Sequence, residues 1–274
     1  MKIAISSESS VDLDKVLLEK YDIHVLPFQI LLGDRIEIDG QISPEEIFDY
    51  ANSSKILPKT SALNSEEYKN FFEELLKSYD KVIHLSLSSG ISSTFYNAQK
   101  AAEELENVTV IDSKSLSTGI GIKAIRLREL LESGMSEESA IENIKIMKVQ
   151  VSALISKLDF MYKGGRCSSL AYFGANLLKL KPRIIVENGK VKNSHIYRGK
   201  FEKAFKDYVC DTLKEYPAKK EFVSITYTTA SKEFLNQAKE ICEGQGFKNV
   251  IFTQAGATVS CHCGENCVGI MYEC

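Results

Sequence analysis

Short apolar runs and amphipathic runs alternate along most of the chain. Residues 2–6, 81–87, 108–112, 151–157, 222–228 and 249–253 are short apolar runs that predict strands, and helical spacing dominates between them. In NSEEYKNFFEELLKSY, Tyr68, Phe71, Phe72 and Leu75 fall on one face, and further on Phe201, Ala204, Phe205, Tyr208 and Leu213 do the same, as core residues. Ser43, Pro44 and Glu46 supply an N-cap, a proline at the first helical position and a capping-box glutamate, and Asn64 opens the next helix in a similar way. Ser9 or Ser10 is expected to cap a helix over Asp12 to Tyr21, and Gly134 to end a long helix.

Two stretches depart from this rhythm. IHVLPFQILLGDRIEIDG is strand-rich with Gly33-Asp34 at a hairpin turn, which predicts a small antiparallel excursion over about residues 23–40. KPRIIVENGKVKNSHI predicts a second hairpin with Asn188-Gly189 as a type I′ turn. The fold class expected is therefore α/β with two domains. Residues 1–150 form a mainly parallel α/β/α sheet domain carrying the excursion, residues 151–274 a mixed α+β domain, and a ligand cleft lies between them.

Composition narrows the partners. The chain has 274 residues, 44% apolar and 26% charged, ample for two packed cores. A net charge of -3 with no basic run argues against nucleic acid. No apolar stretch approaches the roughly 18 residues of a membrane span, although a transient membrane encounter is compatible with the chain. The opening MKIAISSESSVDLDK reads as a strand and a helix cap rather than a signal peptide, so a cytoplasmic protein is expected. Seven cysteines, an odd number in such a chain, point to reduced thiols. Cys210 and Cys242 fall in helical patterns. Cys261, Cys263, Cys267 and Cys274 cluster with His262 in the tail, but the C-x-C and C-x3-C spacings do not repeat as in a zinc site. VSCHC reads as a strand with Cys261 and Cys263 on one face and His262 on the other, so no metal and no cofactor is expected.

The candidate chemistry lies in two hydroxyl clusters. KVIHLSLSSGISSTFYNAQKAA runs from a strand through Ser88, Ser89, Ser92, Ser93 and Thr94 into a helix, where unpaired amides and the helix dipole favour an anion. Thr60 and Ser61 precede another helix, and if the two clusters meet they form a carboxylate or phosphate cradle of neutral donors. Neither a Walker A loop nor a G-x-G-x-x-G follows a strand. A hydrolase alternative takes Ser92, Asp112 and His262 as nucleophile, orienter and base, although Thr94 stands where a nucleophile elbow needs a small residue. Asp112 otherwise reads as a helix-proximal cap or turn acceptor. Lys163-Gly164-Gly165-Arg166 reads as a hinge or tight turn between a strand and a helix starting near Ser168, with partner docking by Arg166 as the other reading.

In combination these segments resemble the DegV family over almost the whole chain. SESSVDL at 7–13 is similar to that family's T-D-S-T-A-D-L, TSALN at 60–64 to T-S-Q-P-S, and SSGISSTFYNA at 88–98 to S-S-G-L-S-G-T-Y-Q-S-A. VIDSKSLSTGIG, LDFMYKGGRCS, LLKLKPRI followed by ENGK, and YRGK follow in the family's order. The resemblance implies a two-domain protein enclosing one long-chain fatty acid, which some members present to a separate ATP-using fatty acid kinase for acyl-phosphate formation. It implies a carrier and not an enzyme by itself. Thr60, Ser61 and Ser92 sit where the family's carboxylate-binding hydroxyls lie, Ser93 stands in place of the glycine of S-G-T, and His262 matches the histidine of the H-x-G-P-G tail. Arg198 matches the arginine tied to the carboxylate end and the kinase-facing surface, and Arg166 is grouped with it as head-group or partner-facing. Glu8 replaces the opening aspartate, Ala62, Leu63 and Asn64 replace Q-P-S, and Glu265-Asn266 replaces P-G.

The physics of such a ligand fits neutral donors. Burying about 15 methylenes at roughly 0.8 kcal/mol each is worth on the order of 12 kcal/mol, so the tail supplies affinity and the carboxylate needs only hydrogen bonds. His262 is expected to add a switchable proton near that head group. A regulatory lipid sensor is a third reading compatible with the same residues.

Overall fold

The computed structural model describes residues 1–156, 158–166 and 180–274. In its first part β1 (Ile3–Glu8), β2 (Ile23–Leu26), β6 (Lys81–Ser86) and β7 (Val108–Asp112) form a parallel sheet of order β2-β1-β6-β7. Residues Ala4 to Glu8 and Val82 to Ser86 are all buried, as expected of parallel strands covered on both faces. The helices of this part are α1 (Lys15–Lys20), α2 (Pro44–Ser54), α3 (Ser65–Leu76), α4 (Thr94–Ala102), α5 (Thr118–Glu132) and α6 (Glu137–Ile146). α2 and α3 each begin with a complete capping box, at Ser43/Glu46 and Asn64/Glu67. Tyr68, Phe72 and Leu75 of α3 enter the core beside Ile5, Ile83 and Leu127.

A separate three-stranded antiparallel sheet has the order β4-β3-β5, with β3 (Gln29–Leu32), β4 (Arg35–Ile38) and β5 (Lys59–Ser61). The hairpin turns at Gly33, whose φ of 64° suits glycine. Residues 23–26 do not belong to this excursion: they pair in parallel with β1, and Pro27 separates the two sheets.

The second part is a six-stranded mixed sheet of order β10-β9-β8-β13-β11-β12. Its strands are β8 (Val149–Leu154), β9 (Leu180–Glu187), β10 (Lys190–Arg198), β11 (Phe222–Tyr227), β12 (Asn249–Gln254) and β13 (Val268–Glu273), and its helices α7 (Leu158–Lys163), α8 (Phe201–Glu215), α9 (Lys232–Gly244) and α10 (Ala257–Cys263). One face packs Leu154, Ile225, Val268 and Ile270 against Phe205, Tyr208, Ala238 and Cys242 of α8 and α9. The other turns Val151 and Met271 toward Ile122 of α5. There α5 approaches so closely that a Cβ on Gly119 would lie 2.3 Å from Val151 Cγ2, so glycine is required. The architecture is the two-domain α/β arrangement expected, with Asn188 and Gly189 both at positive φ in the β9–β10 turn.

Three local expectations are corrected. No helix starts at Ser9 or Ser10: Ser9–Val11 is a single 3-10 turn, Asp12 is left-handed at φ 49°, and α1 begins later under an Asp14 cap. The run VSCHC is helical, within α10, so Cys261, His262 and Cys263 follow a helical turn rather than alternating faces. Its first amides are bonded by Asp12 and Asp39, more than 200 residues away, which no local pattern announces. Finally, the strand expected over 151–157 stops at Leu154, and Lys163-Gly164 closes the helix α7 rather than following a strand. The helix expected near Ser168 lies outside the described residues.

Candidate functional site

The six-stranded sheet, β5 of the small sheet and the loops that follow β1, β6 and β7 form the wall of one cavity of about 1050 Å³, a volume that includes open solvent. Val151, Ile155, Ile184, Val186, Val191 and Met271 make one side apolar, while Ser10, Thr60, Ser61, Ser92, Ser117 and Thr258 supply hydroxyls. Thr60 and Ser61 are delivered by β5, a strand the sequence did not announce, and Ser92 by the loop between β6 and α4.

The expected cradle is assembled in part. Thr60, Ser61, Ser92 and His262 all line the cavity, and Arg166 stands exposed at its edge. Thr60 Oγ1 and His262 Nε2 are hydrogen-bonded at 2.9 Å, joining β5 to the last turn of α10. Ser92 Oγ accepts from the Thr94 amide at 3.3 Å and from the Thr94 hydroxyl, which leaves the Ser92 proton free to be donated. Ser93 is exposed and outside the wall, so it does not join this group. Arg198 is exposed at the end of β10, also outside the wall.

The other members of the serine cluster have structural work. Ser88 Oγ donates to the Gly189 carbonyl at 2.7 Å, tying the loop to the tip of the β9–β10 hairpin. A Cβ on Gly90 would lie 2.5 Å from that same carbonyl oxygen, which explains the glycine between the serines. Ser89 donates to Asp112 from its amide at 3.2 Å and its hydroxyl at 2.5 Å.

Those bonds also dispose of the triad. Asp112 accepts from Ser89, from the Lys114 amide at 3.0 Å and pairs with Lys114 Nζ at 3.0 Å, while His262 is bonded to Thr60. Ser92, Asp112 and His262 do not form a relay. The turn-acceptor reading of Asp112 holds, and although burial opposes it, the Ser89 and Lys114 bonds keep its carboxyl below the usual range.

His262 is not a proton switch at neutral pH. Burial, reinforced by the positive charge of Arg166, pushes it down to about 4, so the imidazole is neutral there. Arg166 itself is anchored by a 2.7 Å bond from Nη1 to the Gly164 carbonyl. Three buried polar atoms on cavity-lining residues, Ser10 Oγ, Thr258 Oγ1 and His262 Nδ1, have no hydrogen-bond partner. Such atoms are costly unless something polar meets them. Sequence reasoning missed Ser10, Ser117 and Thr258. Ser10 sits inside SESSVDL, whose serines read as caps, and the other two reach the wall only through long-range packing.

The match to known proteins runs along the entire chain, for the family model described as "Uncharacterised protein, DegV family" covers residues 2–274. The chain belongs to the DegV family. A DegV domain-containing protein of Caldanaerobacter subterraneus subsp. tengcongensis is 29% identical over 281 residues, covering 99% of each chain. Protein DegV of Bacillus subtilis is 29% identical over 285 residues, again with 99% of each covered. Among solved structures, a DegV family protein from Thermus thermophilus described for its fatty acid binding superposes with a TM-score of 0.89 at 26% identity, over 100% of both chains. The B. subtilis DegV structure, described as a fatty acid binding protein, gives 0.87 at 27% identity, covering 100% of this chain and 99% of that one. No described helix is long and apolar enough to cross a membrane.

Proposed function

We propose that this DegV-family chain binds one long-chain fatty acid in the cavity between its two sheet systems, as a carrier rather than an enzyme. The observation that carries this reading is an apolar wall closing onto unpaired polar atoms at Ser10, Thr258 and His262, beside the hydroxyls of Thr60 and Ser92. An acyl chain against Val151, Ile184 and Met271 supplies affinity through burial. Its carboxylate then accepts hydrogen bonds from Thr60, Ser61 and Ser92, with neutral His262 and exposed Arg166 at the edge. The described fatty acid binding of the Thermus and Bacillus relatives supports the same ligand class.

Native mass spectrometry of protein purified from cells, followed by solvent extraction, tests the ligand class. One acid of about 14–18 carbons per chain is expected, and a protein that carries no lipid and binds none on addition would refute the proposal. Thr60→Ala and Ser92→Ala should each weaken binding by about 1–3 kcal/mol without unfolding the chain. Unaltered affinity in both, by competition with a fluorescent acid, removes them from the head-group site.

The same reading extends to a partner. The exposed Arg198 is assigned to a surface that meets an ATP-using kinase, which would convert the bound carboxylate to an acyl phosphate. Arg198→Ala should keep acid binding within about tenfold, or 1.4 kcal/mol, while acyl-phosphate formation falls much further. Normal turnover, or an equal loss of binding and turnover, would refute that assignment.

A further inference from the structure

Six cysteines are described and all are free. Of these six, Cys263 and Cys267 alone line the cavity. Cys261, though next but one to Cys263, points into the core formed by the small sheet, α2 and Phe160, and Cys242 lies in the core under α9. Cys263 ends α10 and Cys267 immediately precedes β13. Positive φ at Gly264 (73°) and Asn266 (53°) folds the intervening loop back, so the two cysteines come together in one buried cluster. Both are nearly buried, 8% and 5% exposed, and share the apolar side of the cavity with Ile155, Ile184 and Val259.

The loop is held in this shape. Thr228 Oγ1 donates to the Gly264 carbonyl at 2.7 Å and accepts from the Cys267 amide at 3.2 Å, while Thr229 Oγ1 accepts from the Asn266 amide at 2.9 Å. The pair is therefore a fixed dithiol facing the space where an acyl chain lies, away from bulk oxidants.

We propose that Cys263 and Cys267 are a dithiol site that reduces a hydroperoxide group carried on an acyl chain bound in the cavity. This rests on the fatty-acid reading above. In the first step the Cys263 sulfur attacks the terminal peroxide oxygen, the O–O bond breaks, and the thiol proton passes to the departing alkoxide, leaving an alcohol and a Cys263 sulfenic acid. The Cys267 sulfur then attacks the sulfenic sulfur, forming the S–S bond, and its proton leaves with the hydroxyl as water. The balance is two thiols and one hydroperoxide to one disulfide, one alcohol and one water. Within the proposal Cys263, at the end of α10, makes the first attack and Cys267, at the start of β13, resolves it; the Cys267 thiol is pushed well up by its contact with Cys263 and by burial.

The test uses the full-length reduced protein and linoleic acid hydroperoxide, with linoleic acid, hydrogen peroxide and tert-butyl hydroperoxide as comparators. One equivalent of the lipid hydroperoxide should yield one hydroxy acid and lower the intact mass by about 2 units, with peptide mapping placing the bond between Cys263 and Cys267. The reaction should run at least about tenfold faster than with either small peroxide, from pre-positioning, and excess palmitic acid should suppress it. Cys263→Ser should form no hydroxy acid. Cys267→Ser should form it once and stop at a sulfenic acid trapped by dimedone. An unchanged mass, a disulfide elsewhere, an equal rate with hydrogen peroxide or indifference to palmitic acid would each overturn the proposal. Binding of unoxidised linoleic acid, followed separately by native mass spectrometry, distinguishes a failed dithiol site in a fatty-acid carrier from a cavity that binds no acid, which would overturn both readings.

Discussion

Glu8 and Asp12 stand four residues apart in the segment SESSVDL, and both are removed from solvent, at 0% and 5% exposure. They nevertheless differ in acid strength. Burial raises both. Around Glu8, however, His84 Nε2 lies 3.1 Å from Oε1, Ser86 donates at 2.7 Å, the Leu87 amide at 2.9 Å and the Tyr68 hydroxyl at 2.5 Å. Together these hold the Glu8 carboxyl below its usual range. Asp12 receives the Ser117 hydroxyl and the Gly256 amide at 2.8 Å, but its charged neighbour is a second carboxylate, Asp39. Burial therefore wins there, and the Asp12 carboxyl is held well above its usual range.

The difference separates two kinds of work. Glu8 crosslinks β1, β6 and α3 inside the first core. Asp12 and Asp39 instead take the first amides of α10, the helix that brings His262 and Cys263 to the cavity, with Ser9 donating to Asp39 at 2.7 Å. A helix N-terminus favours negative charge, and here two carboxylates share it. The first segment of the chain thus fixes the last helix of the cavity wall.

The largest effect is expected from Glu8→Gln, which keeps the shape but removes the charge facing His84 and turns an amide toward several donors. Unfolding in denaturant should show a loss of about 3–5 kcal/mol. Because the folded Glu8 is a stronger acid than the unfolded one, its stabilisation is present above the unfolded value near 4.5 and is lost as pH falls through the folded value. The variant should lack that acid-side loss. A variant with parental stability would mean that Glu8 is not a net stabiliser.

Ser86→Ala sharpens the same point by deleting one donor to the charged carboxylate, and about 1.5–3 kcal/mol of stability should go with it. An unchanged midpoint and slope would show that the remaining donors suffice.

Asp12→Asn should have the smallest effect at neutral pH and the opposite pH dependence. The folded Asp12 is the weaker acid, so its contribution is most favourable below the unfolded value near 3.8 and declines as pH rises toward the folded value. Relative to its parent, the variant should gain stability with rising pH over that interval, by at most about 1.4 kcal/mol per pH unit. A gap that is flat with pH, or that widens in the parent's favour, would contradict the assignment.

Much of the architecture was legible because it is written locally. The capping boxes at Ser43 and Asn64, the turns at Gly33 and Asn188-Gly189, and the helical stripe of Tyr68, Phe72 and Leu75 each depend on residues a few positions apart. The site was legible only as a set of candidates. Thr60, Ser61, Ser92 and His262 do share one wall, whereas Ser88, Ser89 and Ser93 look no different in sequence and lie elsewhere. Hydroxyls are versatile hydrogen-bonding groups, so their use depends on what packs beside them.

What the sequence determined by itself is most of the strands and helices and several of their caps, because period, turn chemistry and capping act over one or two helical turns. What only the tertiary structure decided is the helical state of VSCHC, the cavity-facing identity of Ser10, Ser117 and Thr258, and the opposite acid strengths of Glu8 and Asp12. Each depends on partners distant in the chain: Asp12 and Asp39 for the amides of α10, Asp12 for the position of Ser117, His84 for one acid and Asp39 for the other. Burial and charge act through space, and chain order alone does not say which groups will meet.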